Sequence, residues 1–220
     1  MNNQDIPQTF AILQESKKQW QDSTLENLEK IPFLILVGCI LSLRTKDQMT
    51  RQVSERLFRN IRNPQQLLEY SEDEIIRMIY PVGFYRRKAK NLIEISRILI
   101  EKYQSQVPST LEELLELPGV GRKTANLVLT VGFGKPGICV DTHVHRIVNR
   151  WGYVKTKTPE QTEMALRNKL PRDFWVPINS LLVLLGQNIC LPRRPHCEKC
   201  PIAIYCDQVG VEKERLKPNE

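Results

Sequence analysis

The chain has 220 residues, 41% of them hydrophobic and 26% charged, with a formal net charge of +7. Such a chain can bury a full core as one large domain or two small ones; its composition argues against disorder, and no apolar run reaches the ~18 residues of a membrane span. The positive charge favours an anionic partner, nucleic acid above all, although alone it fits a solvated basic surface equally well.

Strand signals are nearly absent, while helix signals recur along the whole chain. The opening MNNQDIPQTF has no basic stretch ahead of an apolar core, so no secretory leader is expected and a cytoplasmic protein follows. Ile12, Leu13 and Trp20 suggest a first helix after Pro7. The apolar run 31–43 predicts a buried helix, and 47–59 an amphipathic one with Val53, Leu57 and Phe58 inward. Asn63-Pro64 opens a short helix through Tyr70. Ser71 with Glu74 is a capping-box pattern ahead of the next helix, which Pro81 ends. Phe84 to Lys102 carries Ala89, Leu92, Ile93, Ile95 and Leu99 at helical spacing, and Ser109 with Glu112 is placed to cap LEELLEL. The loop GFGKPGI at 132–138 is the best break in the chain. Beyond it, Asp141 opens THVHRIVNRWG, Thr158-Pro159 with Gln161 begins another helix, and Val176 to Ile189 forms one more. Composition and periodicity therefore give an all-α protein with one marked hinge.

The segment 117–141, LPGVGRKTANLVLTVGFGKPGICVD, is the most informative. Gly119 and Gly121 bracket Val120 in a tight turn between helices, where positive φ and bare backbone are expected. Amides of such a turn and of the first turn after it can touch a phosphate directly, with the helix dipole adding favourable charge. Lys123 lies on that first turn beside Arg122, and Asp141 is well placed to cap the following helix. Alone, Lys123 reads as a surface lysine or one more phosphate contact. His143 and His145, two residues apart, point to different helix faces and are not expected to ligate a metal; His145 and Arg146 are expected to be structural or near DNA. Four of the six cysteines, Cys190, Cys197, Cys200 and Cys206, crowd together as C-x6-C-x2-C-x5-C, which suits an iron–sulfur cluster, a zinc site or free thiols. Cys39 and Cys139 stand apart in apolar stretches and are expected to pack.

LPGVGRKTA at 117–125, VDTHVHR at 140–146 and the four-cysteine tail, in this order, resemble the helix-hairpin-helix DNA glycosylases, most closely the endonuclease III group. The resemblance runs from about Pro32 to Cys206. It implies two helical bundles: a six-helix one over 25–135 containing the hairpin, and a second from 1–24 plus 136–220. The second carries a [4Fe–4S] cluster on the four cysteines, with a DNA-binding cleft between the two. The implied activity is that of a bifunctional DNA glycosylase and abasic-site lyase acting on oxidised pyrimidines in double-stranded DNA, as a monomer. Lys123 becomes the nucleophile, and Asp141 the carboxylate that stabilises the developing oxocarbenium ion or assists proton removal. The phosphate grip falls to Leu117, Gly119, Val120, Gly121 and Arg122.

A base inside a duplex must be flipped out before an amine can reach its sugar, and the gap must be filled. The resemblance places Arg44, in LSLRTKD, and Phe84, in VGFYRRKAK, at the filling positions, where bacterial relatives usually carry glutamine and leucine. Core packing for Phe84 and a plain surface arginine for Arg44 are the competing expectations. Arg193 and Arg194, on the loop between the first two cysteines, are suited to a phosphate. Two alternatives share much of this pattern: a monofunctional adenine- or thymine-mismatch glycosylase, and a DNA-binding iron–sulfur protein without catalysis. Lys123 argues against the first, and Lys123 with Asp141 against the second.

Overall fold

The computed structural model describes residues 1–20 and 28–211, and among the described residues every regular element is helical. None of these helices is long and apolar enough to cross a membrane. The chain forms two compact units, Met1–Gln21 with Val140–Glu220, and Asp22–Cys139. The boundary anticipated near residue 25 lies outside the described residues. The later crossing between units falls just past the 132–138 loop.

In the Asp22–Cys139 unit, α2 (Pro32–Ser42) has nine consecutive buried residues from Phe33 to Leu41. A helix apolar on every side must be surrounded. Here α3 (Asp47–Leu57), α6 (Tyr85–Tyr103) and α8 (Arg122–Leu127) pack around it. Asn63 caps α4 (Pro64–Leu68), and Ser71 with Glu74 forms the anticipated capping box on α5 (Glu72–Ile79). The cap of α7 (Leu111–Leu115) differs from expectation: Thr110, not Ser109, accepts from the Glu113 amide at 3.4 Å and donates to its carboxylate at 2.6 Å. Ser109 is drawn elsewhere, its carbonyl and hydroxyl both accepting from the Lys135 ammonium at 2.6 and 2.8 Å. α8 continues as a π-helical turn, Val128–Gly132, in which Thr130 returns its hydroxyl to the carbonyls of Asn126 and Leu127.

In the other unit, α1 (Ile6–Lys17) packs against α11 (Pro177–Asn188), which also carries α9 (Thr142–Arg150); α10 (Pro159–Lys169) lies against α9. The first helix starts before Pro7 and stops short of Trp20, because proline fits the first turn of a helix, where no amide partner is lost. The Phe10 and Phe174 rings pack with centres 4.7 Å apart, tilted by 58°, and Trp151 and Tyr153 are almost fully buried. Short 3₁₀ turns at Cys197–Lys199 and Ala203–Tyr205 shape the cysteine tail.

Candidate functional site

The turn between α7 and α8 is pinned by its apolar residues. Leu117 and Val120 are buried in the core of their unit, so only their backbone can meet a ligand. The Val120 amide closes the turn on the Leu117 carbonyl at 3.1 Å, while among the described residues the Gly119 and Gly121 amides donate to nothing. The two glycines serve different ends, contrary to the shared need for positive φ that the sequence suggests. Gly119 has φ +77°, and a Cβ there would sit 2.3 Å from the Asn91 amide nitrogen. Gly121 is extended (φ −98°, ψ 175°), and a Cβ on it would meet nothing within 4 Å. Among the described residues nothing demands a glycine at 121; the bare backbone faces open space.

Lys123 is exposed on the first turn of α8. Its carbonyl accepts the Cys139 thiol at 3.7 Å. Below it lies Cys39, fully buried, whose thiol burial pushes up to about 12 despite the opposing pull of the Lys123 charge. Cys39 is therefore a neutral packing group, and Cys139 is buried in the same core. Asp141 belongs to the other unit and caps α9, its Oδ1 accepting from the amides of His143 and Val144, each at 2.9 Å.

Arg44 and Phe84 come together. The Arg44 guanidinium lies 5.6 Å from the centre of the Phe84 ring, and both residues are in the left-handed region, with φ 51° and 58°. Phe84 is 61% exposed, which excludes core packing. A bulky residue held at positive φ with its ring in solvent is strained, and core burial does not repay that strain.

The four clustered cysteines line one pocket together with Trp151, Leu185 and Ile189. Among the described residues no three His, Cys, Asp or Glu side chains stand close enough to hold a single metal ion. Burial pushes the Cys200 thiol up to about 11 and raises Cys197 and Cys206 as well. The loop between Cys190 and Cys197 is held by two arginines of α9 that sequence reading did not single out for this. Arg150 donates to the carbonyls of Leu191 (2.6 Å) and Pro192 (2.8 Å) and to the Cys190 sulfur (3.2 Å). Arg146 donates to the Cys190 carbonyl at 2.9 Å. Their spacing of four in one helix, opposite a cysteine-rich tail, was the available signal. Arg193 and Arg194 remain exposed on this tethered loop. His145 is structural, with its ring nitrogen 2.6 Å from the Thr162 hydroxyl.

Residues 37–172 match the family model of the HhH-GPD superfamily base excision DNA repair protein. The chain is 52% identical to the endonuclease III of Thermotoga maritima over 81% of this chain and 84% of that one. It is 44% identical to the endonuclease III-like protein 1 of Mus musculus, over 79% of this chain and 59% of that one. The fold superposes on an endonuclease III trapped covalently on DNA with a TM-score of 0.84 at 32% identity, covering 94% of this chain and 97% of the other. A thermostable thymine-DNA glycosylase superposes with a TM-score of 0.80 at 27% identity, covering 91% and 94%. By family match and by identity over most of its length, the chain belongs to the HhH-GPD superfamily of base excision DNA repair proteins and, within it, to the endonuclease III family.

Proposed function

We propose that the chain removes oxidised pyrimidines from duplex DNA and then nicks the strand 3′ to the abasic site, with Lys123 as nucleophile. The family membership makes it a base-excision DNA glycosylase and abasic-site lyase whose partner is damaged duplex DNA. The observation that carries the finer reading is an exposed lysine one residue into the helix that follows a turn whose Gly119 and Gly121 amides are undonated among the described residues, with open space beside Gly121. The Lys123 nitrogen attacks C1′ with its lone pair as the base leaves with the bonding pair, the nitrogen gives up a proton to Asp141 or to solvent, and the opened sugar becomes a Schiff base. The iminium acidifies the C2′ proton, and its loss expels the 3′ phosphate. Asp141 supplies negative charge for the oxocarbenium character of the first step. Gly119, Gly121 and Arg122, with the backbone of Leu117 and Val120, would hold phosphate, and Arg193 and Arg194 a second stretch of backbone.

Cys190, Cys197, Cys200 and Cys206 would hold a [4Fe–4S] cluster. The four side chains line one pocket, which fits four thiolate ligands of a single centre, and their C-x6-C-x2-C-x5-C spacing is the one that supports the cluster. Bound there, the cluster supplies structure: it ties together the tail that presents Arg193 and Arg194. Purified protein should be yellow-brown with broad visible absorption; a colourless protein with stoichiometric zinc and no iron overturns the assignment.

The thymine-DNA glycosylase shares this fold, so architecture alone does not separate lyase from simple glycosylase. Borohydride does. A panel of duplexes bearing thymine glycol, dihydrouracil, oxidised guanine, uracil and an abasic site should give nicking and covalent trapping with the oxidised pyrimidines and the abasic site. Base release without trapping would leave only the glycosylase.

The hairpin has its own test. Gly121→Val should weaken abasic-duplex binding by about tenfold or more while leaving melting near wild type, because the new side chain meets only incoming phosphate. Gly119→Val should lower both, since it strains the turn and displaces Asn91. If Gly121→Val binds like wild type, the turn is not the phosphate grip.

A further inference from the structure

Lys88 lies on the apolar face of α6, is only 5% exposed, and spends all three ammonium protons inside the unit. They go to the carbonyls of Leu41 (2.8 Å) and Leu43 (2.7 Å) and to the Thr45 hydroxyl (3.0 Å). All three acceptors are uncharged. The two carbonyls belong to the end of α2, where a helix leaves its acceptors unsatisfied and a cation is favourable. Burial pulls the amine down to about 8. A desolvated lysine without a carboxylate is a costly way to cap a helix, which asks what else it secures.

Thr45 answers that. Its hydroxyl also accepts from the Gly83 amide at 3.1 Å and reaches the Leu43 carbonyl at 3.3 Å. Lys88 is thus bonded, through one oxygen, to the residues beside both Arg44 and Phe84. The two turns touch at this point: a Cβ on Gly83 would lie 2.4 Å from the Arg44 carbonyl oxygen. The far end of the Phe84 turn is held too, by Arg56 donating to the Tyr80 carbonyl at 2.6 Å. Two residues at positive φ persist in adjacent turns only where their surroundings over-determine them.

We infer that Lys88 and Thr45 form a buried clamp that fuses the Arg44 and Phe84 turns into one rigid wedge, and so set how efficiently a stacked, paired base is displaced from the duplex. Lys88 is a positioning residue here, acting through the two side chains it never touches. The inference rests on the reading of Arg44 and Phe84 as the groups that fill the gap. A plain helix cap would stabilise the fold and favour no substrate; a wedge support matters most where there is a pair to break and a partner base to hold.

The test compares Lys88→Met and Thr45→Val with Phe84→Ala and Arg44→Ala. Each is assayed on thymine glycol opposite adenine and on the same lesion opposite an abasic spacer, where no pair has to be broken. A 2-aminopurine beside the lesion reports unstacking. The clamp variants should lose about tenfold or more in excision of the paired lesion and within about threefold at the spacer, with a reduced fluorescence rise. Thr45→Val keeps the buried charge on both carbonyls, so it decides the matter should Lys88→Met fail to fold. Equal losses on both substrates, or none, overturn the clamp. Selective loss in Phe84→Ala but not in the clamp variants overturns the clamp and leaves insertion standing. No selective loss in Phe84→Ala or Arg44→Ala overturns the insertion reading and the clamp's role with it.

Discussion

Lys123→Ala should abolish borohydride trapping and reduce strand nicking at abasic sites to the background of an unrelated basic protein, a fall of at least about 10³-fold. The covalent step has no substitute once its amine is gone. The fold should not notice. Lys123 is exposed, it sits in the first turn of α8, and alanine is at least as good a helix former, so melting should stay within about 0.5 kcal/mol of wild type. Affinity for an abasic duplex should change by less than about fivefold, because phosphate contacts elsewhere supply most of it. Filter binding and trapping on one substrate measure both halves of this expectation. Retained lyase activity above the basic-protein control would mean that another amine is the nucleophile.

Helices were legible wherever one local rule was unopposed. The run Phe33–Leu41 admits no solvent-facing side, and Ser71 with Glu74 satisfies both halves of a capping box. Prediction slipped by one residue at Thr110, where two adjacent hydroxyl residues could each cap and Lys135, distant in sequence, claimed the first. The chemistry of Gly121 was visible as a bare turn, but its contrast with Gly119 was not, since both read as glycine and only three-dimensional surroundings separate strain from open space. For Phe84, burial and exposure were evenly matched in the sequence; the helix starts at Tyr85, and this leaves Phe84 outside the packed stripe. Lys88, a lysine on the stripe of Leu92, Ile95 and Leu99, was a second overlooked signal beside the Arg146–Arg150 spacing, because a cation among apolar residues is usually read as an edge position. What stayed hidden was long-range: carbonyl partners for Lys88, Arg146 and Arg150 lie some 40 residues away and leave no mark in local pattern.

Asp141→Asn should slow release of an oxidised pyrimidine by about 10²- to 10³-fold, the range lost when one group facing a developing charge is neutralised. The substitution separates charge from shape. Asparagine is as good an N-cap as aspartate, and its Oδ1 can accept from the same His143 and Val144 amides. What is lost to stability is the favourable placement of a negative charge at the start of α9, worth about 0.3–1 kcal/mol, together with its attraction to the Arg146 guanidinium. Asp141→Ala removes cap and charge together, so it should melt lower than Asp141→Asn by about 1 kcal/mol while being no slower in base release. That ordering is the discriminating result. If Asp141 served α9 alone, activity would track stability: the asparagine variant would work nearly as well as wild type and the alanine variant would be the impaired one. Single-turnover release of thymine glycol, measured beside thermal melts of both variants, tells these apart, and an active Asp141→Asn enzyme would reduce Asp141 to its capping role.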